Sequence, residues 1–129
     1  MIDDLPNKAN IYNNLANIVS SNDIVKAISY AKQAVNLNPN SSSILDTQGW
    51  LETQNNNLQQ GLNILRQAFT LNSNNPTIRY HLAYTLNKLG RAVEAKSELQ
   101  LALRSEQDFQ ERTQAQDLLL ALKLPQEMN

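Results

Sequence analysis

The chain contains no cysteine, and that one absence removes disulfides, thiolate metal sites and thiol catalysis together. It leaves the compartment open, because a chain without thiols persists in either redox environment. Glycine is nearly as scarce. Gly49, Gly61 and Gly90 are the only three, and they lie far apart, which favours helices joined by short turns. Neither a Walker loop nor a dinucleotide glycine pattern nor a zinc spacing occurs. An excess of charge is missing too: 11 Lys and Arg against 12 Asp and Glu leave a formal net charge of -1. No field of either sign draws this molecule to nucleic acid or anionic lipid. Apolar runs never approach the roughly 20 residues that cross a bilayer, and the opening MIDDLPNKAN lacks the basic and apolar segments of a secretion signal.

What is present is periodic. The 129 residues suffice for one domain with its own core, and small residues recur through it in a fixed register. Ala34, Ala68 and Ala102 fall 34 residues apart; Ala27, Gly61 and Ala95 keep the same interval, as do Ala31, Leu65 and Leu99. A second column, Ala16, Gly49 and Ala83, is spaced by 33 and then 34. Each unit holds two amphipathic stretches at helical spacing, separated by a short polar turn. The small residues sit where two helix axes must come close. Helices are expected near 9–20, 23–36, 43–54, 57–71, 76–88 and 91–104, with a seventh near 107–123.

Punctuation agrees with this division. Asn75 offers a cap to a helix that opens on Pro76, where a missing N–H does no harm. Gly90 is free to take the left-handed conformation that ends the same helix. Ser41, Ser42 and Ser43 offer caps after Asn38-Pro39-Asn40, and Asp108 with Glu111 has the spacing of a capping box for the last helix. The many asparagines, including the run 55–57, read mainly as compositional bias at helix ends.

These columns resemble the tetratricopeptide repeat, whose period is about 34 residues. The units are 9–41, 42–75 and 76–109, followed by a capping helix at about 107–123. The third unit fits best, with Leu82, Ala83, Leu86, Gly90, Ala95, Leu99 and Ala102 in the family's places. The second departs from it: Gln48 stands where a leucine is usual and Glu52 where an aromatic or leucine is usual, which suggests a looser or re-lined unit. The resemblance implies an all-α right-handed superhelix of antiparallel helix pairs, closed by the leucine-rich stretch 118–124 acting as a lid. An incomplete lid would leave a face for weak homo-oligomerisation. Leu5-Pro6-Asn7-Lys8 is similar to the tail of an earlier repeat, so the chain reads as the C-terminal part of a longer array.

Narrower strings, Asp46-Thr47-Gln48-Gly49-Trp50 and Ile78-Arg79-Tyr80-His81-Leu82-Ala83, are similar to those of bacterial tetratricopeptide lipoproteins encoded with exosortase and PEP-CTERM sorting systems. That likeness implies a role in exopolysaccharide production or protein sorting, and a place in the cell envelope or periplasm. Without it, the cytoplasm is the expectation.

In this family the first helix of each unit lines a concave groove. The family positions map onto Asn13, Asn14 and Asn17, then Asp46, Thr47, Trp50 and Thr53, then Thr77, Tyr80, His81, Tyr84 and Asn87. The implied groove is polar, nearly neutral and marked by Trp50, Tyr80 and Tyr84. These aromatics either anchor an extended peptide or partner helix or pack between neighbouring first helices. Family members that grip a chaperone's C-terminal carboxylate use lysines and an arginine; here those places hold Asn13, Asn17, Thr47, Thr77 and His81, so no cationic clamp forms.

His81, the one histidine, has Asp46 as its nearest candidate partner a repeat away. With no second histidine, cysteine or carboxylate group beside them, no catalytic or metal site is expected. Asp3-Asp4 reads as a solvated chain start. The expectation is a non-enzymatic protein or peptide binder that needs no cofactor, binds no nucleic acid and does not insert into a membrane. The alternative is a structural spacer and cap with no ligand of its own.

Overall fold

The computed structural model describes residues 7–127, with side chains as far as Lys123. Leu5-Pro6, Asp3-Asp4 and the side chain of Leu124 lie outside the described residues. Among those described are seven α-helices and no strand: α1 (Lys8–Val19), α2 (Ile24–Leu37), α3 (Ser42–Gln54), α4 (Leu58–Leu71), α5 (Pro76–Lys88), α6 (Ala92–Leu103) and α7 (Arg112–Glu127). They form two compact units, the first ending at Leu71 and the second beginning at Asn72.

In the first unit α1 packs on α2, α2 on α3, and α3 on α4. The small-residue columns explain the closeness. Ala16, Ala27 and Ala31 are fully buried and share a cluster with Ile28 and Leu51, against which Val19, Ile24 and Tyr30 pack. Between α3 and α4 the approach is tighter still. A β-carbon on Gly49 would lie 2.7 Å from Cγ of Leu65, and one on Gly61 would meet Thr53 Oγ1 and stand 2.9 Å from the carbonyl oxygen of Gly49. Only glycine fits at these crossings. The second pair is therefore re-lined, as its unusual residues suggest, and also closely packed: Gln48 and Glu52 are both buried.

The helix ends follow the sequence punctuation. Asp23 Oδ1 accepts the Lys26 N–H at 3.0 Å, and Ser41 Oγ accepts that of Ile44 at 3.3 Å. Asn75 Oδ1 accepts from both Thr77 and Ile78, with Pro76 in the first turn. Helix α5 ends in a Schellman turn: Gly90 has φ 81°, the Arg91 N–H donates to Leu86 O at 2.9 Å, and the Gly90 N–H donates to Asn87 O at 3.0 Å. The same turn closes α3 with asparagine in glycine's place. Asn56 has φ 65°, and the N–H groups of Asn57 and Asn56 donate to Glu52 O and Thr53 O. Asparagine is the side chain best suited to that conformation after glycine. The run at 55–57 is therefore turn chemistry as well as compositional bias.

In the second unit α5 packs on α6 and α6 on α7, around Ile78, Leu82, Leu86, Leu99 and Ala102. The last helix differs from expectation. It starts at Arg112 rather than near 107, which leaves Asp108 outside its first turn. Two side chains account for this. Glu111 accepts a hydrogen bond from Thr77 Oγ1 at 2.9 Å, which ties it to the start of α5. The Arg112 guanidinium donates to the carbonyls of Leu103, Ser105 and Gln107 and lies 4.9 Å from the Phe109 ring. One cation thus serves the last carbonyl of α6 and two carbonyls of the loop that follows, and the segment 104–111 stays tethered. Ala115 is fully buried and Leu118 and Leu119 are half-buried, while Leu120 is 59% exposed. No described helix is long and apolar enough to cross a membrane.

Candidate peptide-binding face

Helix α5 carries the densest group of candidate residues. Positions 80, 81 and 84 lie on neighbouring faces of one helix, since residues three or four apart meet on its surface. Tyr80 stands 5.8 Å from the His81 ring and 6.4 Å from the Tyr84 ring, both tilted. Such offsets suit the ring quadrupoles better than stacking face to face. Tyr84 is half-buried, whereas Tyr80 and His81 are 7% and 6% exposed. Below His81, the Thr85 hydroxyl donates to its carbonyl at 2.8 Å, which keeps that hydroxyl satisfied in a fully buried place.

Two charged groups flank this aromatic strip, and neither was singled out as a site residue in the sequence. Lys88 Nζ lies 5.5 Å from the centre of the Tyr84 ring, one helical turn along. Glu111 lies near Tyr80 and is held by Thr77. Its position was readable from the period, because Glu111 falls one 34-residue repeat after Thr77. Burial foremost, then the neighbouring Tyr84 and Glu111, raises the Tyr80 phenol above the ordinary tyrosine range. The neutral phenol is thus favoured by the fold. The stability it contributes is present below about pH 10 and is lost as pH rises through the folded-state value. In a spectrophotometric titration, Tyr80→Phe should remove an ionisation that lies above the ordinary tyrosine range. Loss of an ordinary tyrosine ionisation in that variant would contradict it.

The first unit places its candidates on α1 and α3, which also touch. Asn17 is exposed; Asp46 and Trp50 are half-buried. Asn13 is half-buried, and its Oδ1 is enclosed with no hydrogen-bond partner among the described residues. Asp46 belongs to this unit and His81 to the other. Among the described residues no group of three His, Cys, Asp or Glu gathers in a way that would hold a metal ion.

The repeat that these columns imply is matched over residues 52–122 by the tetratricopeptide repeat family model. The chain belongs to the tetratricopeptide repeat family. No curated protein sequence matches it. Solved structures with this tetratricopeptide fold do. The type III secretion translocator chaperone SycD of Yersinia enterocolitica has a TM-score of 0.84 at 20% identity, covering 95% of this chain and 97% of its own. SycD has also been solved with a peptide of the translocator YopD. The first tetratricopeptide domain of Spaghetti (RPAP3), bound to the HSP90 peptide SRMEEVD, has a TM-score of 0.81 at 14% identity and covers 92% and 93%. An O-GlcNAc transferase of Thermobaculum terrenum has a TM-score of 0.80 at 20% identity, covering 88% of this chain and 22% of that one.

Proposed function

We propose that the chain is a non-catalytic scaffold that holds a peptide or a partner protein's surface against its first helices. The observation that carries this reading is the half-buried setting of Trp50 on α3 and Tyr84 on α5. Each ring has lost enough freedom to be rigid and keeps enough area to receive a partner. Asn13, Asn17 and Asp46 would supply polar contacts in the first unit. Tyr80 and His81 would act mainly by holding Tyr84, given how little of them is exposed. Support also comes from two tetratricopeptide structures of this fold, one solved with a YopD peptide and the other with an HSP90 peptide. The acidic HSP90 sequence is not expected to transfer, because the cationic clamp residues are missing here.

The narrower setting, a bacterial lipoprotein array in PEP-CTERM exopolysaccharide or sorting machinery at the cell envelope, rests on the strings at 46–50 and 78–83. A cytoplasmic setting is the alternative. A pull-down from envelope and soluble extracts should compare the chain with its Trp50→Ala/Tyr84→Ala form. The expected result is a partner retained by the parent and reduced at least about tenfold by the double substitution, since aromatic anchors commonly contribute 2 kcal/mol or more each. The burial of Tyr80 and His81 favours the second reading, a spacer without a ligand. Empty captures from both folded forms would move the assignment to that reading.

A further inference from the structure

A cavity of about 450 Å³ opens in the first unit, beside α2 and the turn from α3 to α4, away from the residues assigned to peptide binding. Its size falls in the ~300–1,000 Å³ range of small-ligand pockets. At its wall lies Glu52, a carboxyl-bearing residue only 2% exposed. Oε1 of Glu52 accepts one hydrogen bond, from Asn57 Nδ2 at 3.3 Å. No other side-chain partner of Glu52 is found among the described residues. A carboxyl group held by one neutral amide keeps acceptor capacity for further N–H donors, and a cationic donor makes the strongest such bond.

The rest of the wall defines what that donor would be. Val25, 68% exposed, and Ile28 supply aliphatic surface, while Gln33, Asn36 and Asn55 bring carboxamide oxygens. A ligand that matches has an aliphatic stem and a planar head with several N–H donors. We propose that this cavity receives an arginine headgroup, with the guanidinium on Glu52 and the carboxamides, and the methylenes along Val25 and Ile28. Guanidinium brings five donors in a fixed fork and is more weakly hydrated than ammonium, so arginine is preferred over lysine. The site is preorganised, because the Asn57 backbone N–H also donates to Glu52 O at 2.8 Å within the left-handed turn. Lys32 lies on the same wall and is exposed; as a like charge it weakens the site for a cation.

The test is a titration of ¹⁵N-labelled full chain with N-acetyl-arginine methylamide, the lysine and norleucine counterparts, and free arginine. The arginine probe should shift the amides around 25–36 and 52–60, lysine should do so more weakly, and norleucine not at all. Glu52→Gln should reduce affinity by ~10-fold or more, as one charge-assisted interaction is lost. Lys32→Ala should raise it by ~3-fold. Should Glu52→Gln disturb the turn, Asn36→Lys at the exposed rim gives the same loss by repulsion without touching the core. Binding of the capped probe assigns a partner protein's side chain as the source; binding of free arginine alone assigns the amino acid. Equal shifts from norleucine, or unchanged affinity in both Glu52→Gln and Asn36→Lys, would overturn the proposal. Trp50→Ala/Tyr84→Ala should leave this binding intact, so the two sites stand or fall separately.

Discussion

Gly61→Ala is expected to destabilise the chain by about 2 kcal/mol, although alanine occupies the same column at Ala27 and Ala95. Taken alone, the substitution in mid-helix should help by about 1 kcal/mol through helix propensity. The structure decides against it. The new β-carbon would stand 2.9 Å from Gly49 O and 3.0 Å from Thr53 N, and both are backbone atoms. The Thr53 hydroxyl can rotate away, but α3 itself cannot yield without parting from α4. In a thermal melt the expected loss is roughly 6–10 °C. A rise in melting temperature would mean that the crossing is wider than described.

Leu65→Ala should cost more, about 3 kcal/mol. Leu65 is fully buried, and it fills the space that Gly49 leaves open. Gly49→Ala alone overpacks that space, because its β-carbon would lie 2.7 Å from Leu65 Cγ and 3.0 Å from Cδ2. In the Leu65→Ala background those two atoms are gone, and the methyl group refills part of the cavity. The double variant is therefore expected to be more stable than the sum of the single losses by about 1 kcal/mol in a urea-denaturation cycle. Strict additivity would show that the two positions do not share one space.

The same residues show how much of the fold could be read from the chain. The helix boundaries of α5 were legible because Asn75, Pro76 and Gly90 act locally, each on its own backbone. The crossings were legible as columns of small residues, yet not the severity at Gly61, which depends on where Thr53 and Gly49 stand. The start of α7 departs from the sequence pattern, because Asp108 and Glu111 have a cap's spacing while the helix begins at Arg112. Their real neighbours, Thr77 and the loop held by Arg112, are set by tertiary contacts. The asparagine run looks like bias in the sequence because composition does not reveal which of three equal letters takes the left-handed conformation, here Asn56.

The candidate face was legible to a similar depth. The repeat register put Tyr80, His81 and Tyr84 on one helix, and the rings do meet. Register says nothing of burial, and so nothing in the sequence separated the half-open Tyr84 from the enclosed Tyr80 and His81. Glu52 shows the opposite case. It stood out as a departure from the family pattern, but only the cavity around it turns the oddity into a candidate ligand site.

Within each unit every major contact joins a helix to one of its near neighbours along the chain. Closing such contacts spans little sequence, so the entropic toll of loop formation is small. A chain of this kind need not wait for its far end before it gains structure. During synthesis, α1 and α2 would have their mutual partners on emerging, and within each unit the next helix would add to a surface already formed. Vectorial growth of this sort shortens the time that the apolar stripes spend uncovered, and with it the window for aggregation.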